Sequence, residues 1–251
     1  MKQLLTILLI TCAGLQANAQ QFIEKGSIEY EVKTNIKKTI GNGMWADMLK
    51  DNMPQFKTAY YTLSFANNRS FFKFTRWTEG QKVPEFMRRG DEENSWYFDF
   101  NTNRFVMEKD VVGSKFNVSD SVPVLEWKLT NENREIAGFN CRKAVARIMD
   151  SVYVFAFYTD EIMIPAGPCS VNGLPGAILG LTIPRMYTSY IATKVTLQVN
   201  EDNIKAVEAK KPYTNATLKK TIKERIKEWV SEDDDEDGRM WMNQFMWGIF
   251  L

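Results

Sequence analysis

Three aspartates near the C-terminus have the spacing of a calcium-binding loop. Asp233, Asp235 and Asp237 occupy alternate positions, as in the first half of an EF-hand loop. The twelfth position of such a loop supplies a bidentate acid, but in this sequence it is Gln244. We therefore interpret residues 231–237 as a solvated acidic linker. The three aspartates are a weak calcium candidate only, and we expect no metal site and no cofactor.

The absence of histidine excludes several kinds of catalysis. The chain contains no His, whereas Ser-His-Asp and Cys-His mechanisms need an imidazole, as do zinc sites built on His. Neither a phosphate-binding glycine loop nor a nucleophile elbow is present in the sequence. We therefore expect a protein that is not an enzyme. The formal net charge of +1 gives no reason to expect nucleic acid binding.

The N-terminus has the composition of a signal peptide. Lys2 precedes an apolar run over residues 4–10, and Ala17-Asn18-Ala19 forms a small-x-small cleavage site. The apolar run is too short to cross a membrane as a helix. We therefore predict that residues 1–19 are removed on export to the periplasm or to the outer membrane. Peripheral membrane association is left open.

The cysteines are expected to reflect this oxidising compartment. Cys141 and Cys169 lie outside the signal peptide, and an exported chain with two thiols commonly forms one disulfide. We predict a bridge between them, with two buried thiols as the alternative. The third cysteine, Cys12, lies in the signal peptide, where Thr11 before it fits a lipidation signal poorly.

Hydrophobic patterns predict a β domain followed by a helical extension. Alternation of apolar and polar residues, as in Ser27–Thr34, predicts roughly 9–11 short strands over residues 20–212. Helical spacing predicts one helix over residues 44–52 and C-terminal helices within residues 213–251. The polar residues 80–94 are expected to form a loop. The fold class is therefore α+β, with a large, strongly curved antiparallel sheet.

The clearest hairpin of the sequence joins residues 141–149 to residues 152–159. Pairing Met149 with Val152 places the small residues of the first strand opposite the aromatic residues of the second. On this register Tyr153, Phe155 and Phe157 are candidates to face a ligand.

A glycine- and proline-rich turn leads into an apolar strand after this hairpin. The turn is Gly173-Leu174-Pro175-Gly176, and Ala177–Ile183 follows without a charged residue, as expected of a strand buried on both faces. Together with Gly167-Pro168 upstream and Ile178-Leu179 downstream, this stretch resembles the signature of the GLPGLI family, exported proteins of Bacteroidetes. Blocks further upstream, over residues 61–65 and 136–144, also resemble that family. The sequence departs from the family at Ala177, where the motif has Leu, and at Cys169.

The resemblance implies an envelope protein with no established activity and, by analogy, a half-open barrel like those that carry lipids. We therefore favour a non-catalytic binding or carrier module for an apolar ligand or a partner segment. The alternatives are a structural partner of the outer-membrane machinery and, third, an enzyme that works without histidine.

Overall fold

Alternating apolar and polar residues build the strands of one large sheet. The computed structural model describes residues 22–40, 50–51, 53–149, 151–226 and 236–251. Its strands are β1 (Gly26–Asn35), β2 (Phe56–Ala66), β3 (Arg69–Trp77), β4 (Ser95–Asp99), β5 (Arg104–Val111), β6 (Ser114–Ser121), β7 (Trp127–Ile136), β8 (Phe139–Ile148), β9 (Val152–Thr159), β10 (Ala177–Ile183) and β11 (Thr188–Thr196).

All these strands belong to a single antiparallel sheet of 11 strands, in the order β6-β5-β4-β3-β2-β1-β11-β10-β9-β8-β7. The consecutive strands β6 and β7 lie at opposite edges, so the sheet is open. The prediction of a large antiparallel sheet is therefore confirmed. Hairpins connect most neighbours, and the pairing of β1 with β11 joins the first part of the sheet to the last.

Four helices accompany the sheet in the described part of the chain. They are α1 (Ile36–Thr39), α2 (Glu85–Glu93), α3 (Asn215–Ile226) and α4 (Glu236–Phe250). The apolar stripe of α3 is buried, through Leu218, Ile222 and Ile226. Helix α2 lies in the segment that was expected to be a loop. Residues 50 and 51 are helical, but the rest of the helix predicted over residues 44–52 lies outside the described residues, as do the signal peptide and most of the acidic linker.

The main core lies between the sheet and the segments that cover it. Aromatic side chains form its centre: the ring of Tyr61 stacks on Phe72 at 5.2 Å, and Phe72 contacts Trp96 at 5.6 Å between centroids. The connection between β9 and β10 contributes buried residues such as Ile164 to the same cluster, and α4 contributes Ile249. No helix in the described part of the chain is long and apolar enough to cross a membrane.

The β8–β9 hairpin differs from its predicted register by one residue. Ile148 pairs with Val152, where the sequence predicted Met149, and Met149 lies in the turn with a φ of 47°. A shift of one residue moves every side chain of a strand to the other face. Ala144, Ala146 and Ile148 therefore share a buried cluster with Val152, Val154, Ala156 and Tyr158. Tyr153, Phe155 and Phe157 lie on the opposite face.

The glycine-rich motif brings the backbones of two segments into close contact. A Cβ at Gly176 would lie 2.0 Å from the carbonyl oxygen of Thr159, and the φ of Gly176 is +143°. The amide of Ile178 donates to the carbonyl of Ala166 at 3.0 Å, so the connection pairs with the start of β10. Leu174, Ile178 and Leu179 are buried. In this structure the motif positions the connection against the core.

Candidate functional site

A cavity of about 400 Å³ lies between the sheet, α2 and the C-terminal helix α4. Its volume is within the range of small-molecule sites in proteins. The strands supply much of the wall because they present one apolar face inward. Apolar lining residues come from several elements and include Val32, Ala59, Ile183, Phe245 and Ile249.

A partly buried ion pair connects α2 to the sheet at the wall of this cavity. Lys57 Nζ lies 2.5 Å from Asp91 Oδ2, and the hydroxyl of Tyr61 donates to Asp91 Oδ1 at 3.0 Å. Burial, together with the charge of Asp91 and this hydrogen bond, holds the pKa of Tyr61 well above its usual range. Asp91 thus accepts from two side chains of β2 and fixes α2 over the sheet.

Lys109 is a buried cation that also lines the cavity. The residue is 8% exposed, and its Nζ lies 4.8 Å from the ring centroid of Trp96. Among the residues that the structure describes, no carboxylate forms an ion pair with it. Burial lowers the pKa of Lys109 to about 8, although Cys169 and Asp91 act in the opposite direction. Lys109 is therefore a cation without a counter-ion.

Cys169 contacts the cavity as a protonated thiol. Its Sγ donates to the hydroxyl of Tyr190 at 3.3 Å, and burial raises the pKa of Cys169 to about 11 and that of Tyr190 well above its usual range. A thiol with so high a pKa contains little thiolate at neutral pH and is a poor nucleophile. Its role here is to pack and to donate a weak hydrogen bond.

The disulfide predicted between Cys141 and Cys169 is not present in the structure, where both residues are buried free thiols. The physical reason is that the two side chains face different surroundings. Cys169 contacts Tyr190 at the cavity, whereas Cys141 Sγ donates to the carbonyl of Phe139 at 3.5 Å. Burial raises the pKa of Cys141 to about 12.

Thiol labelling tests this assignment directly. We expect a maleimide to label both cysteines when protein that was never exposed to reductant is denatured, because neither is oxidised. Native protein should react at least 100-fold more slowly, since burial and the raised pKa values suppress the thiolate. Mass spectrometry of the labelled chain counts the reacted thiols. An unlabelled chain whose mass is lower by two hydrogens would show that the disulfide between Cys141 and Cys169 is formed.

The other predicted site residues do not line the cavity. Tyr153 is 52% exposed, and cations cover the rings of Phe155 and Phe157: Lys143 lies 5.6 Å from the first, and Arg134 lies 4.7 Å from the second. The motif residues Gly167, Pro168, Gly173, Leu174, Pro175, Gly176, Ile178 and Leu179 are likewise absent from the cavity wall. Pro168 precedes Cys169, which is the contact between the motif region and the cavity.

The calcium candidate lies outside the part of the chain for which side chains are described. Asp233 and Asp235 are not among the described residues, and nothing is described of the side chain of Asp237. Within the described ranges, no group of three or more His, Cys, Asp or Glu side chains is arranged to hold a metal ion.

Sequence comparison yields no match, whereas structural comparison yields solved structures with a similar fold. Neither a protein-family model nor a curated protein sequence matches the chain. A solved structure of PNGF-II in a P21 space group matches with a TM-score of 0.50 at 15% identity and covers 79% of this chain. A second PNGF-II structure, in a C2 space group, gives a TM-score of 0.44 at 12% identity and covers 89%. The similarity to the first shows a shared fold only.

In both PNGF-II structures the matched region is 33% of the longer chain. The chain thus spans about a third of the length of that protein. The same sheet architecture therefore occurs as one part of a larger polypeptide.

Proposed function

We propose that this protein is an exported, non-catalytic binding or carrier module that holds a small, largely apolar ligand in the cavity beneath α2 and α4. The observation that carries the proposal is the cavity itself, about 400 Å³ beside the aromatic core. The cavity is partly open to solvent, so a small molecule can enter it. The volume is that of roughly a dozen water molecules, and its walls are largely apolar.

The chemistry of the cavity favours binding over catalysis. The thiol and the hydroxyl groups of Cys169, Tyr61 and Tyr190 all have raised pKa values, so these three are not activated as nucleophiles or bases at neutral pH. Lys109 has a lowered pKa, but at about 8 it leaves the amine mostly protonated at pH 7. Asp91 is engaged with Lys57 and Tyr61. The signal-like N-terminus and the resemblance to the GLPGLI family support export, and the open sheet is compatible with a half-open barrel of the carrier type.

Native mass spectrometry of protein purified from its own envelope tests the proposal. We expect a fraction of the wild-type protein to retain an additional mass that organic extraction removes. Ala59→Phe should abolish this mass, because Ala59 lines the cavity and a phenyl ring there fills it.

The matched control introduces the same side chain at Ile191, which lies next to Tyr190 on β11 and therefore points to the opposite face. Ile191→Phe should retain the ligand. A wild-type protein that is always free of additional mass would contradict the proposal, and so would an Ala59→Phe variant that binds normally. If the ligand-free wild-type protein is recovered together with membrane proteins, the result would instead favour a structural partner of the outer-membrane machinery.

A further inference from the structure

The charges around the cavity leave one cation without a partner. Asp91 and Asp110 are the carboxylates that line it, and each is associated with another cation: Asp91 with Lys57, and Asp110 with Arg89 at 3.5 Å. Asp110 follows Lys109 on β5, and neither of the two carboxylates forms an ion pair with Lys109 in the described part of the chain. Lys109 is thus the cation of the cavity without a direct ion-pair partner in the described part of the chain, although the charge of Asp91 raises its pKa, and a buried charge without a direct partner is costly.

Two further donors at the cavity lack an acceptor. Trp96 lines the cavity, and its buried Nε1 atom has no hydrogen-bond partner among the described residues. The hydroxyl oxygen of Tyr190 accepts from Cys169 at 3.3 Å, and no acceptor for its own hydrogen is found in the described part of the chain. Lys109, Trp96 and Tyr190 therefore place three donors at the cavity, where the buried Oδ2 of Asp110 also lacks a hydrogen-bond partner among the described residues and has the ion pair with Arg89 alone. A carboxylate is acceptor-only and can receive several hydrogen bonds at once.

We propose that the ligand of this cavity is a small amphipathic acid whose single carboxylate pairs with the Lys109 ammonium, while its alkyl part lies against the apolar walls. This inference rests on the proposed function. One uncompensated cation matches a monoanion. A dianionic phosphate monoester would leave a buried negative charge close to Asp91 and Asp110. Trp96 and Tyr190 supply the additional donors that a buried carboxylate needs.

The pairing predicts how affinity depends on pH. Lys109 faces Asp91 from α2, Lys57 from β2 and Cys169 from the β9–β10 connection, and the thiol stays neutral until about pH 11. Deprotonation of Lys109 removes the charge that the carboxylate needs. Carboxylate affinity should therefore be constant from about pH 6, where the ligand is fully ionised, to about pH 8, and should fall above it, since the free protein loses the Lys109 proton there.

Calorimetric titration of extracted wild-type protein with octanoate, octanol and octylamine at pH 6.5 tests the inference. We expect octanoate to bind at least 10-fold more tightly than octanol, and octylamine to bind most weakly. Lys109→Met should remove the preference for octanoate while octanol still binds. Lys73→Met, at an exposed lysine of β3, should leave the preference unchanged.

The outcomes separate the two proposals. If octanol binds as tightly as octanoate, the inference on the head group is wrong but the cavity still binds ligands. If Lys109→Met keeps the preference for octanoate over octanol, another group binds the carboxylate and the proposed role of Lys109 is disproved. If none of the three compounds binds, both the inference and a binding function for this class of ligand are contradicted.

Discussion

Gly176→Ala is expected to prevent stable folding, with a loss of more than about 4 kcal/mol in the free energy of unfolding. The added Cβ would lie 2.0 Å from the carbonyl oxygen of Thr159, 2.7 Å from its carbonyl carbon and 2.9 Å from Asp160 Cα. All three are backbone atoms at the end of β9, so no side-chain rotation relieves the clash. The φ of +143° adds strain for any residue with a side chain. Urea denaturation followed by circular dichroism measures the loss in the free energy of unfolding. An insoluble Gly176→Ala protein would also agree with the prediction that stable folding is prevented.

Substitutions at two other glycines distinguish the effect of steric overlap from that of backbone strain. Gly138 has a φ of +85°, but a Cβ there would meet nothing within 4 Å, so Gly138→Ala should cost only about 1 kcal/mol. Gly90 lies in α2 with open space around it, so Gly90→Ala should be neutral or should stabilise the helix by up to about 1 kcal/mol. A Gly176→Ala protein as stable as Gly138→Ala would mean that the connection after β9 is free to move away.

The sheet was predictable because alternation is a local property of the sequence. The pattern of Ile28, Tyr30 and Val32 predicts a half-buried strand, and those residues are buried in β1. The register of β8 and β9 was not predictable in this way, because apolar residues occur on both faces of the hairpin. The turn decides it: Met149 adopts a positive φ and leaves the ladder, which moves the pairing by one residue.

The cavity could not be predicted because it depends on contacts that are distant in sequence. Helix α2 is polar in composition, and it is held in place by Asp91, which contacts Lys57 34 residues earlier in the chain. The far wall comes from α4, near the C-terminus. One local signal was available. Phe105, Met107 and Val111 are buried at alternate positions of β5, and Lys109 occupies the position between the last two, where the alternation predicts an apolar residue. A lysine on the buried face of a strand indicates either a partner charge or a ligand.

Lys109→Met should raise the free energy of unfolding by about 3 kcal/mol at neutral pH, an unusually large stabilisation for one substitution. The pKa of Lys109 is about 8 in the folded protein against an ordinary value of 10.5, so folding opposes the charged form. Below pH 8 the lysine is protonated in both the folded and the unfolded state, and the full cost is present. Between pH 8 and 10.5 the unfolded state binds more protons than the folded state, so wild-type stability rises with pH relative to the variant. Methionine has a similar length and no charge, and it can pack against Trp96.

The measurement is urea denaturation of both proteins from pH 6 to pH 10. The difference in the free energy of unfolding between Lys109→Met and wild type should be constant up to about pH 8. Above that pH it should decrease by up to about 1.4 kcal/mol for each pH unit. Cys141 and Cys169 are present in both proteins. Lys109 lowers the pKa of Cys169, but at about 11 the folded thiol stays mostly protonated up to pH 10, so the contribution of the cysteines to the difference is small. Lys73→Met, at the exposed site, should show no such difference from wild type at any pH. A Lys109→Met protein less stable than wild type would mean that a group close to Lys109 already compensates its charge. If this difference in the free energy of unfolding appears, wild type retains a costly buried cation that the fold itself does not need, as the proposed role of Lys109 in ligand binding requires.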